Sequence, residues 1–196
     1  KSKKKIGSIA DISCFSLYPG KNLGAYGDAG IITTNNKNFY KKLRKLRNLG
    51  SEKKFIHTQI GFNSRLDTLQ ACILSNKLNL LNRYNNNRRK IAKIYDNEII
   101  NKKIMKIKYS SSAVYHQYVI MVTNRKLLIN KLKKNKIQYG FHYPKSINQI
   151  SALKKIYKDQ KYPNAENLAK KCLSLPIDPT LKNIEINRII KVLNSF

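Results

Sequence analysis

A lysine attacks a carbonyl only as its neutral amine, so a nucleophilic lysine must be held still where it can lose a proton. Lys21 has a local setting suited to that. It follows a strand-like run, Asp11 to Tyr18, and the Pro19-Gly20 turn that stops it. A turn at a strand end holds the backbone rigidly, and ligand sites in α/β proteins favour such places. Ser16, on the same stretch, can direct a hydroxyl toward an anion. Gly20, Gly24, Gly27 and Gly30 let the backbone approach a ligand closely. On composition alone the bland reading competes strongly: the chain carries 40 Lys and Arg, most of which must be solvated.

The three cysteines, Cys14, Cys72 and Cys172, are far apart and form no C-x-x-C pair, so neither a zinc site nor a disulfide framework is indicated. No metal is expected. Apolar neighbours suggest that Cys14 and Cys72 are buried, inert thiols. Free cysteines fit a reducing cytoplasm.

Several elements must position these residues. Ile31 to Thr34 reads as a second strand. Asn36 is placed to cap a helix over Phe39 to Leu49, with Phe39, Leu43 and Leu46 on one face and Gly50 past its end. Ser51 to Asn63 reads as a long connection. Leu66, Leu69, Ile73, Leu74, Leu78, Leu80 and Leu81 then give a helical stripe that continues through Ile91 and Tyr95, a long helix kinked near Asn85 to Asn87. Beyond it, strands are expected at Ile104 to Tyr109, Tyr115 to Val122 and Ile137 to His142. Helices are expected at Arg125 to Asn135, Ile150 to Tyr157, Ala165 to Cys172 and Ile184 to Leu193. The predicted domain boundary lies near Asn97, dividing the chain into residues 1–97 and 98–196.

The run from Cys14 to Gly30, CFSLYPGKNLGAYGDAG, closely resembles the pyridoxal-phosphate (PLP) lysine segment of the DegT/StrS sugar aminotransferases. Two further segments match in the same order: Gly61 to Ala71, GFNSRLDTLQA, and Gly140 to Pro144, GFHYP, followed by Leu173 to Pro179, LSLPIDP. The resemblance implies an α/β protein of PLP fold-type I, aspartate-aminotransferase-like. The chain would supply the C-terminal part of the large domain with its linking helix, then the small C-terminal domain. It also implies a homodimer, with PLP as cofactor.

Carried over residue by residue, the resemblance implies that Lys21 forms the Schiff base with PLP and later shuttles a proton. Ser16 would bond the PLP phosphate, and Asn63 would reach that phosphate across the dimer interface. Arg65, His142 and Tyr143 match positions near the sugar or its anionic groups, where the planar fork of Arg suits phosphate or carboxylate. Bland alternatives stand beside these: a turn asparagine, an intrahelical ion pair, a satisfied strand-end histidine. His57 and His116 have no supporting context and are read as structural. Lysine rather than histidine at position 21 favours transamination over dehydration. The continuation Leu23 to Asp28 favours amination at C3 over C4. The implied substrates are a dTDP- or UDP-linked keto sugar and an amino donor, glutamate. Such an enzyme would serve cell-surface polysaccharide or amino-sugar biosynthesis.

In the family, the acidic residue that pairs with the pyridinium nitrogen and the helix start that cradles the phosphate precede the lysine segment. Both are therefore expected upstream of Lys1, and the chain alone is expected to be a poor catalyst. The Lys1 to Lys5 start lacks the apolar run of a signal peptide. A missing N-terminal portion is the expectation. The longest apolar-rich run, Ala113 to Val122, is broken by His116 and Gln117 and is short of the roughly 20 residues of a membrane helix, so no membrane is expected. The formal charge of +30 raises a rival, a basic nucleic-acid-binding protein. Lysines spread among many Asn and Ile read instead as compositional drift, with no specific nucleic-acid partner. A non-catalytic remnant is the third reading.

Overall fold

Ser13, Phe15 and their alternating neighbours Cys14 and Ser16 form β1 (Ser13–Ser16), a strand with one half-buried and one exposed face. It pairs antiparallel with β2 (Gly30–Thr33) in the register Ser13 with Thr33 and Ser16 with Gly30. The strands join through the glycine-rich loop that contains Lys21. Both expected strands form, and β1 is shorter than its alternating run. This computed structural model describes residues 4–157 and 160–196. The first residues of the Lys1 to Lys5 run lie outside them.

The side-chain carbonyl of Asn36 accepts bonds from the Asn38 and Phe39 amides and so starts α1 (Lys37–Leu46). The helix stops three residues before the expected Leu49. There Leu49 and Gly50 take positive φ values of 58° and 71°, and the backbone turns to bond the chain around Phe62. The expected connection after Gly50 contains a small hairpin, β3 (Ser51–Lys53) with β4 (Ile56–His57). α2 (Thr68–Leu78) follows, then α3 (Leu81–Glu98).

The long helical stripe is thus broken at Asn79-Leu80, and α3 runs as one helix through Asn85 to Asn87, the stretch expected to kink. Those asparagines lie inside α3, where Asn87 donates to the Pro179 carbonyl (3.2 Å) and Asn86 accepts from Arg89 (2.9 Å). The helix-propensity cost of an asparagine is only tenths of a kcal/mol, and the tertiary bond of Asn87 with the local bond between Arg89 and Asn86 offsets it.

The chain divides into two compact units, Lys1–Leu81 and Asn82–Phe196. In the first, Leu17, Ala25 and Leu74 form a small core with Leu23, Ala29 and Leu66 packed against it. In the second, α3 contributes Ile91, Ala92 and Tyr95 to the larger core. The helix containing Asn97 therefore packs as part of the second unit.

That unit has a three-stranded antiparallel sheet of β5 (Ile104–Lys106), β6 (Tyr118–Val122) and β7 (Cys172–Leu175), with β6 in the centre. Helices α4 (Arg125–Lys134), α5 (Pro163–Lys171) and α6 (Asn183–Asn194) accompany it. β7, all four residues buried, lies where the sequence suggested only the end of a helix. The expected strand from Ile137 to His142 reduces to one bridge, Gly140 with Ser174. Just beyond it the contact with Ser174 is made by a side chain, the His142 ring. The expected helix from Ile150 is instead two short 3-10 turns, Ile147–Gln149 and Ser151–Leu153. Asn148 there is bonded to the Gln160 carbonyl and to Glu166, which ties down a segment without a long apolar stripe.

Many cations serve this architecture. Arg125 donates to the carbonyls of Ala169 (2.7 Å) and Cys172 (3.0 Å) at the end of α5, Arg88 to Ile177 (2.7 Å) and Arg188 to Asn135 (2.6 Å). Charges at helix C-termini interact favourably with the unpaired carbonyls.

Cys14 and Cys72, expected to be buried, are exposed; only Cys172 is buried, and all three are free. Cys14 lies on the exposed face of β1, so apolar sequence neighbours did not report its side. Among the described residues no group of three or more His, Cys, Asp or Glu is placed to hold a metal, and no helix is long and apolar enough to cross a membrane.

Candidate functional site

Lys21 sits in a loop closed by its own backbone. The Lys21 amide donates to the Tyr18 carbonyl (2.8 Å), and the Ala25 amide donates to the Leu17 carbonyl (2.8 Å) at the loop's neck. Below the neck, the Leu17 amide donates to the Ala29 carbonyl (2.9 Å), continuing the β1–β2 pairing. Leu17 and Ala25 are buried and anchor the neck in the core.

Gly24 is required by this closure. A Cβ there would lie 2.4 Å from the Pro19 carbonyl oxygen and 2.9 Å from that of Tyr18, both backbone atoms. Gly20 is different, with its nearest neighbour at 4.0 Å. Lys21 itself is half-buried.

Ser16 ends β1 at the entry to this loop. Its side-chain oxygen accepts a long 3.4 Å contact from the Tyr18 amide, and the residue is exposed. Lys21 and Ser16 thus belong to one strand-and-turn assembly, as their spacing suggested.

Asn63 and Arg65 are also brought together. The segment Phe62–Ser64 runs against the end of α1, with bonds from Phe62 N to Leu46 O (2.7 Å), Leu49 N to Phe62 O (2.9 Å) and Ser64 N to Arg47 O (2.9 Å). Backbones meet so closely that a Cβ on Gly61 would fall 2.1 Å from the Gly50 nitrogen.

The Arg65 guanidinium donates to the side-chain oxygens of Asn63 (3.2 Å) and Asn48 (3.3 Å). The expected alternative, an intrahelical ion pair, is not what forms: Arg65 precedes α2 and its partners are neutral amides. Arg65 also lines a cleft of about 720 Å³ with Lys41, Arg44 and Arg47. The carboxylate in that wall, Glu52, is held below the usual carboxylate range by its hydrogen bond from Lys45 (2.8 Å) and by that lysine's charge. The cleft remains net positive and suits an anion.

In the second unit, His142 is oriented by Ser174, whose hydroxyl lies 2.8 Å from Nδ1. Gly140 makes room for the imidazole, since a Cβ there would come 2.8 Å from its Cε1. Tyr143 stands edge-on to His142 with ring centroids 5.6 Å apart and is well exposed. Both line a cavity of about 430 Å³ together with Tyr157, Tyr162 and Leu168. Glu166 secures one wall by accepting bonds from the Tyr162 amide (2.9 Å) and Asn148 (2.7 Å), which hold its carboxyl below the usual range. Its placement is ligand-like: aromatic and apolar walls with a few polar groups.

Asn48, Ser174, Gln70 and Lys77 were not foreseen. Gln70 and Ser174 lie within segments whose pattern was noticed, yet their roles depend on what folding sets beside them. His57, read as structural, bonds the Leu49 carbonyl through Nδ1 (3.0 Å).

The family model described as the DegT/DnrJ/EryC1/StrS aminotransferase family matches residues 1–194. Among curated proteins, the chain is 38% identical over 195 residues to a dTDP-3-amino-3,6-dideoxy-alpha-D-galactopyranose transaminase of Aneurinibacillus thermoaerophilus, covering 98% of this chain and 53% of that one. It is 36% identical over 193 residues to a UDP-N-acetyl-3-dehydro-alpha-D-glucosamine 3-aminotransferase of Acidithiobacillus ferrooxidans, covering 96% and 51%. Among solved structures, S. venezuelae DesV in complex with a ketimine intermediate superposes with a TM-score of 0.92 at 32% identity, over 98% of this chain and 53% of that one. The chain spans about half the length of the curated relatives it matches.

Proposed function

Because this chain belongs to the DegT/DnrJ/EryC1/StrS aminotransferase family, we propose that it is the lysine-bearing part of a PLP-dependent aminotransferase acting on a nucleotide-linked keto sugar. The observation that carries the reading is Lys21 on a loop closed between Leu17 and Ala25, with the Ser16 hydroxyl at its entry.

The residues present fit the cofactor. An amine on a rigid loop suits covalent attachment of an aldehyde, and an exposed hydroxyl suits a phosphate oxygen. Bound PLP would supply a carbonyl for the amine and a ring that accepts electrons. Lys21 Nζ would hold the cofactor and, when released, carry a proton between the substrate carbon and the cofactor carbon, first for the amino donor and then, in reverse, for the keto sugar. Ser16 orients the phosphate.

Asn63 serves the phosphate of a second copy's cofactor, which makes the working protein a homodimer. Its exposure beside Arg65 supports a role toward an anion outside its own segment. Arg65, with the basic cleft it lines, takes the substrate diphosphate. His142 and Tyr143 contact the sugar. Relatives named for 3-amino sugars and 3-aminotransferases support amination at C3, with glutamate as donor. Three free thiols are consistent with a reducing cytoplasm.

The test is trapping. The protein is incubated with PLP, reduced with borohydride, digested and mapped by mass spectrometry. A pyridoxyl adduct concentrated on Lys21 and lost in Lys21→Ala is the expected result. Equal labelling across exposed lysines, unchanged in Lys21→Ala, would overturn the reading.

A further inference from the structure

We propose that Gln70 and Lys77 are positioning residues for Lys21, acting as a two-point clamp from α2 on the loop that carries it. The proposal rests on Lys21 being the cofactor-binding lysine.

Lys77 follows Gln70 at i+7, so both lie on one face of α2, about 10 Å apart along its axis. Each holds the loop's backbone. The Tyr26 amide donates to Gln70 Oε1 (2.7 Å), and the Gln70 amide group lies against Gly27, where an added Cβ would come 3.3 Å from Nε2. Lys77 Nζ donates to the Gly24 carbonyl (2.6 Å) and sits 4.9 Å from the centroid of the Tyr26 ring.

The clamp points bracket Ala25, which is fully buried and donates to Leu17 at the neck. Gly24 is in turn packed against the Pro19 and Tyr18 carbonyls. Lys21 lies between Pro19 and Gly24, so the clamp holds the C-terminal side of its turn to the helix and, through the close packing of Gly24, backs the other side. A charge-assisted bond to a carbonyl is stronger than the ordinary bonds of a loop, and the cation over the exposed Tyr26 ring adds a smaller attraction. The position of the Lys21 backbone, and hence the reach of its amine, follows from them. Reactions of a held group depend steeply on such placement.

The test compares borohydride trapping of PLP in the wild-type chain, Lys77→Met and Gln70→Leu, read as the ratio of adduct on Lys21 to adduct on all other lysines. Unfolding midpoints are measured in parallel. Lys77→Arg, which retains a donor and the aromatic contact, and Gln70→Glu, which retains the acceptor for Tyr26, serve as conservative variants.

The expected result is a fall of about fivefold to twentyfold in the ratio for Lys77→Met and Gln70→Leu, with recovery in Lys77→Arg and Gln70→Glu. A merely structural role would lower the midpoint and speed exchange of the Tyr26 amide while leaving the ratio unmoved; that outcome overturns the clamp and leaves the Lys21 assignment standing. No preference for Lys21 in the wild type would overturn both.

Discussion

Replacing Gly61 with alanine tests how the Asn63–Arg65 pair is held. The new Cβ would lie 2.1 Å from the Gly50 nitrogen, 2.7 Å from the Leu49 carbonyl carbon and 2.8 Å from the Leu46 oxygen. All are backbone atoms, so no side chain can swing away, and the segment must move by about 1 Å to reach ordinary contact.

Overpacking of this kind costs about 1–3 kcal/mol. Three backbone bonds of 2.7–2.9 Å cross the same seam, and each that opens removes about 1 kcal/mol net. The expected destabilisation is therefore about 2–5 kcal/mol, a large share of the stability of a small domain.

Urea unfolding measures it, and hydrogen exchange at the Leu49, Phe62 and Ser64 amides locates it. Gly20→Ala, where the nearest atom is 4.0 Å away, is the control and should change stability by less than about 0.5 kcal/mol. If Gly61→Ala matched that control and kept amide protection, the backbone-contact argument would be wrong.

The second unit should lose stability above about pH 10. Burial, then the hydrogen bond from Tyr118 to Asp96 (2.6 Å), push the Tyr118 hydroxyl well above its ordinary range. Burial does the same to Tyr95. These groups keep their protons in the folded state where the unfolded chain loses them, so the stabilisation is complete below the unfolded value near 10 and falls as pH rises past it. Urea titrations from pH 8 to 11 should show this slope, reduced in Tyr118→Phe; an identical slope in the variant would refute it. Leu173→Ala, which empties a fully buried site in β7, should cost about 2–5 kcal/mol by urea unfolding. A thiol reagent under native conditions should label Cys14 and Cys72 and spare Cys172 until denaturant is added; rapid modification of Cys172 would contradict its burial.

Local chemistry made much of this protein legible in its residues. Asn36 started a helix because its side chain satisfies amides next to it in the chain. Pro19-Gly20 ended a strand because proline and glycine dictate backbone angles locally. Lys21 and Ser16 fall on one strand-and-turn because few residues separate them, and the order of motifs pointed to the family without any contact being known.

What the sequence could not decide were the outcomes set by remote partners. The helix breaks at Asn79-Leu80 and runs on through Asn85–Asn87, where Asn87 donates to the remote Pro179 carbonyl. β7 was hidden because four buried residues directly after a helix carry no alternation to read. The exposed side of Cys14 depended on which face of β1 meets the core. Arg65 met Asn63 and Asn48 rather than an acid in its own helix, and His142 met Ser174, through backbone seams that Gly61 and Gly140 permit. Residue type and spacing determined which groups this protein has for chemistry; tertiary packing decided what holds each of them, because a hydrogen bond or contact across tens of residues leaves no periodic trace in the chain.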